Sequence, residues 1–350
     1  MKITFKEYVQ LLENSSTRKK ALRDYSIFVP SDDLVQFQIE PDPKSVEFIP
    51  FQKSLGAGLN SPNDILRKER QGRFERDIAA FPDRPVLLVE GDSWVHFPYI
   101  IDDILQAMFG HFNICAVGAA GDRNSNMIRG GERERQKEYL LYLRQLKAQG
   151  TPANAFFFSG AGNDIVGEIG GRALITDLLK DSVPGGNAKD HIVEEKFNAA
   201  LDQIEEDYVK LITEVHAESG YEQLPIFIHG YAHNFPHPHG PKEKRKKQCY
   251  QSRGVDQWLG VAFKAHRIDD YKLKHDIMIY LIDSLYERMA KIAAANASVY
   301  VLDGRCYKGR YGQDDCKLFG LSDWKDEIHL RSKAFRKLSK KFRNEIKAAV

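Results

Sequence analysis

Five short β-rich apolar runs, separated by stretches of helical spacing, constrain this chain more than any other feature. They are residues 86–90, 112–117, 155–159, 226–229 and 298–302, each bounded by Gly, Pro, Asn or Asp. Runs of that length and character suit strands buried on both faces. Helical stretches at 99–109, 132–148, 194–217 and 271–295 lie between them, and 333–349 closes the chain. Within 194–217, Phe197, Ala200, Leu201, Ile204, Tyr208, Leu211 and Ile212 recur in steps of three and four, which marks one apolar face. The alternation predicts an α/β fold, a parallel sheet with helices on both faces. Ligands of such sheets bind beyond the carboxyl ends of the strands.

The first 80 or so residues break this pattern. Residues 3–13 fit a short amphipathic helix, 26–60 read as irregular around Pro30, Pro41, Pro43 and Pro50, and a polar helix is expected at 62–80. We read 1–82 as an extension packed on a domain spanning 83–350. Residues 235–270 read as an insertion, preferably a lid, because loops at this sheet edge shape the ligand site. At 350 residues and 42% hydrophobic content the chain can bury a full core.

Charge is nearly balanced, 51 basic against 49 acidic side chains, which gives no global pull towards nucleic acid or an anionic membrane. No apolar run is long enough to span a bilayer, and the N-terminus lacks the apolar stretch of a signal peptide. Cys115, Cys249, Cys306 and Cys316 are widely and irregularly spaced. They read as four free thiols, so the expectation is a soluble, cytoplasmic protein.

The residues after the strands carry the chemistry. Glu90-Gly91-Asp92-Ser93-Trp94 follows the first run, with a helix expected to start near Pro98. A serine at such a turn lies exposed at the sheet edge near helix-end N–H groups and suits a nucleophile; alone, it equally suits a helix cap. Val117-Gly118-Ala119-Ala120-Gly121-Asp122 follows the second, where glycines let backbone N–H groups approach a ligand, or simply form a loop. Asn163 follows the third and can aim its amide at a developing oxyanion, or merely sit in a turn. Asp326 and His329 precede the last helix, spaced so that the carboxylate accepts Nδ1–H and Nε2 faces Ser93; otherwise they are a surface acid and a capping histidine. Each motif is weak alone. Together, each beyond an expected strand or just before the final helix, they define a candidate acid–base–nucleophile set.

On these residues the sequence resembles the SGNH (GDSL-type) hydrolases: Gly91-Asp92-Ser93, Gly121-Asp122, Gly162-Asn163-Asp164 and Asp326-x-x-His329 match that family's four blocks over residues 84–345. The wording also looks like a bacterial subgroup of unassigned members. The resemblance implies a flavodoxin-like α/β/α sandwich with a five-stranded parallel sheet. It further implies cofactor-free and metal-free cleavage of an ester or thioester of a small molecule through an acyl-serine. Ser93, Asp326 and His329 would be catalytic, with the oxyanion held by Ser93, Gly121 and Asn163. One departure stands out: Ala161 occupies the place where the third block usually has glycine.

Other constellations allow other readings. His229, His233, His237 and His239 crowd one segment, but Pro236 and Pro238 force it extended and its spacing fits no standard metal pattern. We read it as a pocket wall, with Trp94, Tyr231 and His233 as candidate substrate contacts. Lys242, Lys244, Arg245, Lys246 and Lys247 read as a solvated loop. Tyr250, Trp258 and Phe263 would line a pocket or anchor the insertion. Phe156, Phe157 and Phe158 read as core. A catalytically silent binding module that uses the His-rich, basic insertion is the rival class; a metal-dependent phosphodiesterase rests on the histidines alone.

Overall fold

The computed structural model describes residues 2–14, 16–30, 37–42, 44–47, 62–97, 101–129, 137–169, 172–236, 259–308 and 316–350. His237, His239, the basic run at 242–247, Cys249, Tyr250 and Trp258 lie outside these residues, as does most of the insertion.

All five apolar runs become strands of one parallel sheet: β1 (Val86–Gly91), β2 (Asn113–Ala116), β3 (Ala155–Ser159), β4 (Ile226–His229) and β5 (Val299–Leu302). Their order is β2-β1-β3-β4-β5, all parallel, which is the flavodoxin-like order. The chain reverses its direction of growth between β1 and β3, so the crevice beyond the ends of those two strands is where the topology favours a ligand site.

Besides two helices near the start, Phe5–Glu13 and Arg18–Asp24, the described residues include α1 (Pro62–Ala80), α2 (Glu138–Ala148), α3 (Gly162–Val166), α4 (Glu194–His216), α5 (Leu259–Ala265), α6 (Tyr271–Ala294) and α7 (Ser332–Ala349). Three consecutive phenylalanines show how the layers form. Side chains alternate across a strand. Phe156 stacks on Tyr139 of α2 at 5.5 Å and Phe158 meets Tyr208 of α4 edge-on at 5.8 Å, while Phe157 meets Phe342 of α7 at 6.2 Å on the opposite face. All three are fully buried. The result is helix, sheet, helix around one core.

Two local expectations are corrected. The helix expected at 99–109 is a single 3₁₀ turn, Ile104–Ala107. Asp103 explains part of this: its carboxylate accepts from Leu105 N at 3.1 Å and Phe97 N at 2.9 Å and pairs with Arg70, and such local bonds compete with helix. The stretch read as irregular contains an antiparallel hairpin of Ser26–Pro30 with Phe37–Pro41, and Val46–Glu47 pairs in parallel with Ile3–Thr4.

A third correction concerns the thiols. Cys306 is disulfide-bonded, whereas Cys115 is free and buried. Pairing depends on which sulfurs the folded chain brings together, and spacing along the sequence does not reveal that. The inference of a reducing compartment therefore loses its premise. Among the described residues, no helix is long and apolar enough to cross a membrane.

Candidate active site

Ser93 lies two residues past β1 in a tight turn. Val95 and His96 donate their N–H groups to the Asp92 carbonyl at 3.2 and 2.9 Å, and Trp94 N donates to Asp92 Oδ1 at 3.0 Å. The turn leads to no α-helix among the described residues, so Ser93 is not a helix cap. Gly91 permits the geometry: its φ is 153°, and a Cβ there would run into the Ser159 carbonyl of the neighbouring strand.

Across 236 positions of sequence, the His329 ring meets this turn, with Nε2 2.8 Å from Ser93 Oγ. Nδ1 lies 3.0 and 3.1 Å from the two Asp326 carboxylate oxygens. Nδ1–H donates to the carboxylate, which leaves Nε2 to accept the serine hydroxyl proton. Asp326 also accepts the backbone N–H of Ile328 and His329, at 3.0 and 2.8 Å, so one carboxylate shapes the loop and orients the ring. Phe97 packs edge-on against the imidazole at 4.7 Å. Ser93, Asp326 and His329 are at most 5% exposed.

The two neighbouring loops are laced together. Asn163 Nδ2 donates to the Asp122 carbonyl at 2.9 Å, Asn124 N donates to Asp164 at 2.9 Å, and Ala161 N donates to Asn124 Oδ1 at 3.0 Å. Gly121, with φ 89°, sits one residue before Asp122 in the same turn. One Asn163 amide proton is thereby engaged and the other is left over. Ala161 takes φ 79°, in the positive-φ region that glycine enters most readily.

Beneath the serine, Asp92 accepts from Ser159 Oγ at 3.1 Å and from the Tyr231 hydroxyl at 2.5 Å. Burial pushes the Asp92 carboxyl above its usual range, opposed by these hydrogen bonds. Tyr231 also accepts from Gly162 N at 3.0 Å, so it links the serine turn to the asparagine loop. Neither role was legible in sequence: an aspartate in a turn and a tyrosine beyond β4 carry no distinguishing local signal. Asn124 lies just after the Gly121-Asp122 pair, so its position beside the second loop is legible in the sequence.

A cavity of about 60 Å³ lies beside these groups, lined by Ser93, Trp94, Asn163, Tyr231 and Trp324 among others. His233 goes elsewhere: its Nε2 pairs with Asp283 of α6 at 2.8 Å, and it is not among the described lining residues. His229 is fully buried among Trp94, Phe157, Tyr231 and Phe342. Burial alone draws its pKa down to about 3, so its ring is neutral. No group of three or more His, Cys, Asp or Glu is placed to hold a metal ion among the described residues.

No family model and no curated protein matches the sequence. Among solved structures, a Streptococcus pneumonia protein provisionally described as a platelet activating factor overlays on 85% of this chain and 100% of its own, at 17% identity and a TM-score of 0.39. The periplasmic domain of a Salmonella ser. Paratyphi A lipopolysaccharide acetyltransferase overlays on 78% of this chain and 87% of its own, at 9% identity and a TM-score of 0.38. Likeness at this level carries no chemistry from one protein to another, and what the site can do follows from its own geometry.

Proposed function

We propose that this chain is a serine hydrolase that cleaves an ester or thioester through an acyl-serine intermediate. One observation carries the reading: the Asp326–His329–Ser93 connection, 3.0 and 2.8 Å long, buried beyond the end of β1 and beside a cavity. In the proposed reaction His329 takes the Ser93 proton as Oγ bonds the acyl carbon, and Asp326 stabilises the imidazolium. Negative charge on the former carbonyl oxygen is shared by the N–H groups of Ser93 and Gly121 and the unengaged Asn163 amide proton. His329 then protonates the leaving oxygen or sulfur as its bond to the acyl carbon breaks. Water, deprotonated by His329, frees the acid by the same path.

The test is covalent labelling. Purified protein should take up one equivalent of a fluorophosphonate probe, and Ser93→Ala should take up none. His329→Ala should label at least about a thousandfold more slowly, as expected when the base of such a set is removed. Labelling of a folded His329→Ala protein at the parent rate would overturn the proposal. Wild-type protein that never labels would also overturn it, and would favour a binding module of the same fold.

A further inference from the structure

We infer that the cavity beside Ser93 is an acyl-chain pocket, and that the substrate class is an ester of a short straight-chain fatty acid. The inference rests on the hydrolase reading above. Helix α6 presents Met278, Leu281, Ile282 and Leu285 to the cavity, spaced i, i+3, i+4, i+7 and so forming one stripe. Leu201 of α4 and Ile165 of α3 also line it. No lysine or arginine is among the described lining residues, and the one charged residue, Asp92, is already held by Tyr231, Ser159 and Trp94. Ser93, Asn163, Tyr231 and Asn234 are the other polar side chains in the lining, and an anionic headgroup would meet no counter-charge there. An alkyl chain loses nothing and gains burial.

The side of the serine on which the cavity lies decides which part of the ester enters. The leaving group must end beside His329 Nε2, which protonates it. Asn163 lines the cavity and His329 is not among its described lining residues. Ile328 and Trp324 of the His329 loop line it too, and the acyl chain is placed there because an apolar wall beside the nucleophile suits the apolar part of a fatty ester. The size of the cavity points to a short chain: about 60 Å³ is several times the roughly 10–15 Å³ that admits one water, so it exceeds a methyl group and falls short of a long alkyl chain. Acetate underfills the pocket, and a long chain meets the packed faces of α4 and α6.

The experiment is a p-nitrophenyl ester series from acetate through butyrate, hexanoate and octanoate to dodecanoate. For wild-type protein, kcat/KM should rise about fourfold per added methylene up to butyrate or hexanoate, then fall by dodecanoate. Leu281→Trp should cut the hexanoate-to-acetate ratio at least about tenfold, the loss of some two methylenes' worth of burial. Met278→Phe replaces it if the tryptophan variant does not fold. Acetate as the best substrate, a flat series, or a folded variant with the parent ratio would each overturn the inference. Absence of all ester turnover would instead sink the hydrolase reading. Calorimetric titration with hexanamide then judges the pocket separately: binding that Leu281→Trp removes supports an apolar chain pocket, and no binding to wild-type protein ends it.

Discussion

Asp164, in the same loop that offers Asn163, keeps its proton to a higher pH than an ordinary carboxyl does. Burial raises its pKa to about 6; Asp207 adds to the rise, while the Asn124 N–H, Arg123 and Arg129 oppose it. In the unfolded chain the group titrates near 4. Between those values the folded state binds the proton and the unfolded state does not, so stability falls as pH rises through that window and levels off above about 6. Asp164→Asn keeps an acceptor for Asn124 N and removes the titration. Its stability advantage should be absent below about pH 4 and reach about 2–3 kcal/mol at neutral pH. Urea unfolding of both proteins across that range checks this; a constant difference at every pH would refute it. The adjacent Ala161 shows what sequence could and could not convey. That alanine stands where the resemblance expects glycine is visible in the sequence; that it must take a φ of 79° is not. A left-handed alanine costs about 1–2 kcal/mol. What offsets it, a methyl group buried in the core and the 3.0 Å bond to Asn124, depends on residues far away in the chain.

Among elements, the loop that carries Asp326 and His329 depends on a contact that no pattern announced. Glu327, between them, is fully buried, and its two oxygens accept Leu259 N at 2.9 Å and Gly260 N at 3.1 Å, the first N–H groups of α5. Trp324 and Leu330 close the loop as an antiparallel bridge, and Trp94 Nε1 donates to Ile328 O at 3.2 Å. Replacing Glu327 by Ala leaves two buried N–H groups unsatisfied. The expected cost is about 2–4 kcal/mol from the loss of two charge-assisted bonds. Because the loop also aims His329, Ser93 labelling should slow while the protein is still folded. Chemical denaturation and probe kinetics on Glu327→Ala test both; wild-type values in both would show the clamp to be incidental. Legibility at this scale follows period and length. The long amphipathic helices α4, α6 and α7 and the five sheet strands emerge within a residue or two of expectation because many side chains report each one, although β5, at the sheet edge, leaves Tyr300 exposed. The 99–109 stretch misleads because its apolar residues suit a helix, while Asp103, which redirects the backbone, is bonded to Arg70 on a distant helix. The hairpin within 26–41 is disguised by prolines at or beyond its strand ends, where strands tolerate them.

Taken as a whole molecule, the set of residues around Ser93 is assembled from the ends of β1 and β3 and the loop before α7, and residues preceding β1 hold that assembly in place. Arg70 of α1 is 3% exposed; it donates to the Val95 carbonyl, two residues from Ser93, at 2.5 Å and to Asp103 Oδ2 at 2.5 Å. Arg67 of the same helix donates to the Val117 carbonyl, at the end of β2, and to Glu138 of α2 at 2.6 Å. The first two segments of the candidate site are thus tied to a helix that sequence reading assigned to an extension. Asp103 is raised above the usual carboxylate range by burial, against the pull of Arg70, so it tolerates loss of that partner poorly. Arg70→Met should cost about 3–5 kcal/mol, the penalty for stranding one member of a buried ion pair. Deletion of residues 1–82 removes both arginines and uncovers the apolar face of β2, a sheet-edge strand that would then be prone to pair with another chain. The 83–350 fragment should therefore aggregate, or remain soluble without labelling at Ser93. Size-exclusion chromatography and fluorophosphonate labelling of that fragment decide the matter. A monomer that melts and labels like the parent would show that α1 covers the domain without supporting it.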